Sequence, residues 1–247
     1  GTMCPSFMAT RDEEHSTRGR ANALRSAISG ALPISALTSD RVHEVMDLCL
    51  GCKACKAECP SNVDMAKLKY ELLAQRRREH GPSLRDRLLG NIDRLDRLGS
   101  ALAPVSNWAV GSDAAADLLE RVSGIDRRRR LPAFASQTFG QWLRARPETN
   151  QAPSKSREGG RVVLFNDTFT NFNHPEIGRA AVTVLEALGY EVVVPDFRCC
   201  GRPQISAGDA DRALRNAAAN VAIAARSLAT STGEDSVYMV GLEPSCI

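Results

Sequence analysis

The residues with chemistry to offer are cysteines: Cys4 near the start, Cys49, Cys52, Cys55 and Cys59 in one short run, the adjacent pair Cys199 and Cys200, and Cys246. The run Cys49-Leu50-Gly51-Cys52-Lys53-Ala54-Cys55-Lys56-Ala57-Glu58-Cys59-Pro60 spells C-x2-C-x2-C-x3-C-P, the spacing of bacterial [4Fe-4S] ligands. A thiolate every third residue in a tight loop can hold three corners of an iron-sulfur cube, and Gly51 frees the backbone to approach it. Pro60 stops the loop from continuing as helix, which turns the fourth cysteine aside. The rival is structural zinc, which usually separates two CxxC pairs by a longer segment.

Cys4-Pro5 repeats the last element of that run. Where two such runs occur, the fourth cysteine of each ligates the other cluster. Cys4, rather than Cys59, is therefore expected to complete the cube held by Cys49, Cys52 and Cys55, leaving Cys59 without a cluster here, since the three cysteines it would join are expected upstream of Gly1. In-line ligation through Cys59, with Cys4 a free thiol, is the simpler alternative. Lys53, Lys56, Arg18 and Arg20 lie near these cysteines in sequence, and cations beside an anionic cluster raise its reduction potential. For the two lysines a solvated surface is an equal reading.

Cys199-Cys200-Gly201 follows an apolar strand pattern, at the carboxyl end where open parallel sheets carry their ligand sites. Adjacent cysteines rarely bridge each other. Cys246 follows the next strand in Glu243-Pro244-Ser245-Cys246, so the sheet would bring it to the same edge. A second redox or metal site is one reading, and a set of buried structural thiols the other. His174, before Pro175, reads as a cap or turn residue, and Arg127 to Arg130 as a solvated face or a docking surface.

The elements that must position these residues fall into two kinds. Helices are expected from Arg11 to Ser29, Asp40 to Leu48, Asn62 to Gly81 and from Ser83 along the stripe Leu84, Leu88, Ile92 and Leu95, with the cysteine run in a loop between helices. Weaker helical patterns cover 114–122 and 139–145. From Arg161 the pattern alternates: strand 161–165, helix 175–188, strand 190–194, helix 208–230, strand 237–241. Strands spaced by helices imply βαβ units and a parallel sheet. The expected fold class is a helical ferredoxin domain (1–99), a helical connector and polar linker (100–160), then a partial cysteine-rich α/β domain (161–247).

With 43% hydrophobic and 25% charged residues in 247, the composition suits a globular chain long enough for two domains. A net charge of +3 is spread too thinly to argue by itself for a nucleic-acid partner, and none is expected. No apolar stretch reaches the length of a membrane span, and no basic-then-apolar leader opens the chain. Clustered cysteines point to metal in a reducing compartment, the cytoplasm, rather than to a disulfide framework. Both ends read as cuts in a longer polypeptide.

These residues resemble the FAD-linked oxidases of the D-lactate dehydrogenase and glycolate oxidase type, in which a flavin domain is joined to an iron-sulfur module. Residues 4–20 look like the segment after the first cluster of that family, and Cys49 to Met65 like the second. Cys199-Cys200-Gly201-Arg202-Pro203 and Glu243 to Cys246 are similar to its cysteine-rich CCG domain. Two departures stand out: Asn166-Asp167 occupies the place of a cysteine after the first strand, and the closing cysteine pair is reduced to Cys246. The resemblance implies electron transfer through [4Fe-4S] clusters, FAD and substrate chemistry in a flavin domain or subunit, and a downstream acceptor such as a quinone at the inner membrane. Rival readings are a disulfide or quinone reductase centred on the CCG cysteines, and a metal-stabilised scaffold.

Overall fold

The computed structural model describes residues 3–146, 160–229 and 236–246. The polar linker expected over 147–160 lies outside the described residues, apart from its last glycine. The chain divides into two compact units, Gly1–Asp86 with Gln204–Ala210, and Arg87–Pro203 with Asp211–Ile247.

The first unit is helical: α1 (Pro5–Thr10), α2 (Thr17–Ile28), α3 (Asp40–Asp47), α4 (Ala54–Glu58) and α5 (Met65–His80). Caps decide where these helices start. Ser16 accepts from the Gly19 amide, Ser39 from Val42 and Asp64 from Lys67, each supplying an acceptor that the first helical turn lacks. Two expectations change as a result. The helix foreseen from Arg11 begins only at Thr17, because Arg11 adopts a left-handed conformation (φ 58°) that ends α1. The stretch foreseen as capped by Asn62 is capped by Asp64, with Asn62 itself left-handed at φ 54°. Leu24, Val42, Met46, Met65 and Leu72 form the core, with Leu37 and Cys55 packed against it.

The second unit carries α7 (Ile92–Ala101), α8 (Ala103–Gly111), α9 (Asp113–Ser123) and α10 (Phe139–Arg144) ahead of the sheet; α6 (Leu84–Gly90) precedes α7. The single apolar stripe expected from Leu84 to Leu95 is broken at Asn91. Gly90 and Asn91 are weak helix formers, and Arg212 clamps the break, donating to the Gly90 carbonyl, to Asn91 Oδ1 and bidentately to Asp93 at 2.7 and 2.8 Å. α7 also turns inward through Asp96, Gly99 and Ser100, not through the leucines, since Leu95 and Leu98 are exposed.

Strands β1 (Arg161–Phe165), β2 (Glu191–Val193) and β3 (Val237–Gly241) form a parallel sheet in the order β2-β1-β3, with Arg161 in register with Glu191 and with Val237. Central β1 buries Val162 to Phe165 without alternation, as a strand covered on both faces requires. Between β1 and β2 run α11 (Thr168–Phe172) and α12 (Pro175–Ala187); between β2 and β3 run α13 (Arg202–Ser206) and α14 (Ala210–Ala229). Phe139, Leu164 and Val182 form the core. A Cβ at Gly178 would lie 2.7 Å from the Phe139 ring, so glycine lets α10 seat against α12. The architecture is thus helical followed by α/β. Among the described residues no helix is long and apolar enough to cross a membrane.

Candidate metal and redox centres

One cavity in the first unit is lined by Cys4, Cys49, Cys52 and Cys55, together with Arg20 and Gly51. Three of the thiols come from the run, and its backbone explains how. Gly51 (φ 66°) and Lys53 (φ 60°) are both left-handed, so the chain turns twice before α4 begins and carries Cys55 on its first turn. A Cβ at Gly51 would lie 2.5 Å from the Tyr70 hydroxyl, and together with the left-handed backbone this favours glycine there. Cys59, at the carboxyl end of α4, does not line the cavity.

Cys4 is tied to the run by hydrogen bonds between residues 16 to 42 positions apart in sequence. The Ser6 hydroxyl donates to the Leu48 carbonyl at 2.6 Å. Arg20 donates from Nε to the Val45 carbonyl at 3.1 Å and from Nη1 to the Cys4 sulfur at 3.4 Å. Lys69 Nζ closes the end of α3 by donating to the Asp47 and Cys49 carbonyls at 2.9 and 2.8 Å, and burial pushes this ammonium below the ordinary lysine range. Burial works to raise the Cys4 thiol, but the Phe7 backbone amide, the Arg20 guanidinium and Ser6 outweigh it and hold Cys4 below the ordinary thiol value. Hydrogen bonding to the thiolate favours the form that ligates metal.

Among the described residues no three His, Cys, Asp or Glu side chains converge as a single metal ion requires. Four thiols standing around a cavity, with a buried guanidinium whose Nη2 has no partner, suit a larger anionic group. An iron-sulfur cube fits that donor set, since its thiolates attach to four separate irons.

In the second unit, Cys200 is hydrogen-bonded through its thiol to both Cys199 and Cys246, so the topology brings all three cysteines to one place. Gly201 (φ 95°) passes close to α14, where a Cβ would lie 3.2 Å from Ala213. The bond from Cys200 and burial push Cys199 far above the ordinary thiol range. Cys199 acts to lower Cys200, but Cys246 and burial outweigh it and leave Cys200 raised. The bond to Cys200 holds Cys246 below the ordinary value against the opposing effect of burial. Asp167 caps α11, accepting from the Phe169 and Thr170 amides at 2.9 and 3.0 Å and from the Thr170 hydroxyl at 2.6 Å. Of the pair Asn166-Asp167, expected at the place of a cysteine, Asp167 is therefore a fully engaged cap.

Asp96 belongs beside this group. It is 2% exposed with one carboxylate oxygen unpartnered, and burial, with Asp93 and Cys199 adding, pushes its carboxyl up to about 7. Sequence reading missed Asp96, Lys69 and Ser6. Only Asp96 left a trace, as a charge on a helix that buries neighbouring positions. His174 stands at the start of α12 and contacts Glu176 at 3.1 Å. Arg127, Arg128 and Arg130 form ion pairs with Asp117, Asp126 and Asp113 respectively.

Residues 2–64 match a family described as a 4Fe-4S dicluster domain, and residues 165–246 a family described as a cysteine-rich domain. Together with the two thiol groupings, these matches define an iron-sulfur electron-transfer protein that pairs a cluster-binding domain with a CCG domain. Across these segments the chain is similar to proteins named as iron-sulfur subunits and as hydroxy acid dehydrogenases. It is 29% identical over 185 residues to one subunit of the anaerobic glycerol-3-phosphate dehydrogenase of Escherichia coli (strain K12), covering 74% of this chain and 43% of that protein. It is 26% identical over 285 residues to D-2-hydroxyglutarate dehydrogenase of Pantoea ananatis, covering 99% of this chain and 27% of that one. A probable glycolate oxidase iron-sulfur subunit of Bacillus subtilis is 24% identical, over 89% of this chain and 50% of its own length. The chain thus spans half or less of each of these relatives. No solved structure matches the chain.

Proposed function

We propose that this chain is the electron-carrying part of a FAD-linked 2-hydroxy acid oxidoreductase, with Cys4, Cys49, Cys52 and Cys55 holding one [4Fe-4S] cluster and Cys59 standing outside it. The observation that carries this reading is the cavity lined by those four thiols and not by Cys59. A [4Fe-4S] cluster, when bound, carries one electron at a time. The chain's own part is to hold the thiols, exclude water with Met65 and Ala66, and present the buried Arg20 guanidinium to an anionic centre. Two of the relatives are named for 2-hydroxy acids, 2-hydroxyglutarate and glycolate, which supports a substrate of that class oxidised on a flavin carried by a partner domain or subunit. From this chain the electrons go to an acceptor such as a quinone at the inner membrane face, the chain itself residing in the cytoplasm.

The test is anaerobic reconstitution with iron and sulfide, followed by titration with dithionite. Iron and sulfide in equal amounts, with a broad visible absorption that bleaches on reduction, is the expected result. A colourless protein holding stoichiometric zinc would refute the reading.

A second reading, a disulfide or quinone reductase centred on the CCG domain, is supported by the chain of thiol contacts through Cys200. It requires that Cys200→Ser abolish turnover with a disulfide or quinone while the cluster in the first unit stays reducible.

A further inference from the structure

Arg20 is 1% exposed, and its donors divide among three surroundings. Nε holds the Val45 carbonyl, Nη1 holds the Cys4 sulfur, and Nη2 is buried without a partner. An unsatisfied buried donor on a charged group is costly to keep out of water, so its surroundings bear on its role. Arg20 lines the same cavity as the four thiols.

The residues around it account for its position. Ser16 caps α2. Arg18 is exposed and paired with Glu13 at 2.7 Å, so it carries no charge to the interior. A Cβ at Gly19 would lie 2.1 Å from the Glu13 carbonyl oxygen, so only glycine lets α2 pack down on the turn Glu13–His15, and this packing goes with Arg20 facing inward. Of the other cations beside the run, Lys69 already gives its ammonium to two backbone carbonyls, Lys56 pairs with Asp64 at 3.6 Å, and Lys53, which also lines the cavity, is exposed.

We propose that Arg20 is a positioning residue that supplies a fixed buried charge and the free Nη2 donor to the cluster in this cavity, and so raises its reduction potential. A cube held by four thiolates gains one further negative charge on reduction, and a cation that cannot move away stabilises the reduced form more than the oxidised one. The inference rests on the cavity being the cluster site.

The experiment is an EPR-monitored reductive titration of the reconstituted wild-type chain, Arg20→Lys and Arg20→Gln, with iron content measured on each. Arg20→Gln should shift the midpoint to more negative potential by at least about tenfold in the one-electron equilibrium constant, about 59 mV, with Arg20→Lys between the two. A loaded Arg20→Gln protein with the wild-type potential overturns the proposal. If Arg20→Gln takes up no cluster, Arg20→Lys decides. A downward shift, together with loss of the deuterium sensitivity of the iron-sulfur stretching bands seen in wild type, supports the proposal. An unchanged potential and unchanged bands overturn it. A wild-type chain that takes up no iron instead overturns the underlying cluster reading.

Discussion

The Ser6 hydroxyl donates to the carbonyl of Leu48 at 2.6 Å, tying the segment that carries Cys4 to the residue just before Cys49. Ser6 is buried, so Ser6→Ala leaves that carbonyl without its partner. The expected cost is about 1–2 kcal/mol of stability by urea unfolding, with faster loss of iron to a chelator. Wild-type stability together with wild-type iron release would show that the link does not organise the site.

Cys4→Ser and Cys59→Ser separate crossed from in-line ligation. Because Cys59 does not line the cavity, its replacement should leave the iron content of the reconstituted chain near wild type. Replacing Cys4 should lower that content or yield a three-iron form with an EPR signal in the oxidised protein. The reverse pattern would assign Cys59 as the fourth ligand.

Asp96 gives a pH dependence of definite sign. Its carboxyl stands at about 7 in the folded chain against about 3.9 when unfolded. From about pH 4 to 7 the folded chain holds a proton that the unfolded chain releases. The contribution is therefore complete below about pH 4 and lost as pH rises through 7. A shift of about three units bounds it at about 4 kcal/mol. Asp96→Asn stays neutral, so its stability relative to wild type should rise by up to that amount between pH 4 and 8 in denaturant titrations. Parallel pH profiles for the two proteins would show that Asp96 is not neutral in the fold.

The three CCG thiols should differ in reactivity. Cys246 is held below the ordinary thiol range and Cys199 well above it, and the thiolate is the nucleophile. In iron-free protein at neutral pH, brief iodoacetamide treatment followed by peptide mass spectrometry should find Cys246 alkylated first and Cys199 last. Uniform labelling would mean that the thiols do not share hydrogen bonds in solution.

The amino-acid sequence alone determined the chemistry of the run and the order of elements. Cys49, Cys52, Cys55 and Cys59 announce a cluster by spacing, because ligand geometry there is local. The unbroken apolar Val162 to Phe165 announces a buried parallel strand because its burial is the same on both faces. Helix starts were legible less well, since several polar residues compete to cap each one: Asp12 serves only the short turn Glu13–His15 while Ser16 opens α2, and Asp64 rather than Asn62 caps α5. Only tertiary structure decided which thiols share a cavity, since the contacts that bring Cys4 there, from Ser6 to Leu48 and from Arg20 to Val45, span 42 and 25 positions. It also decided that Arg20 is internal while Arg18, two residues away, is in solvent. The chemical types are identical, and the difference arises from the close packing at Gly19. Asp96 completes the contrast: a carboxyl whose acidity is set by burial carries no mark of it in sequence, because burial is a property of everything packed around the residue.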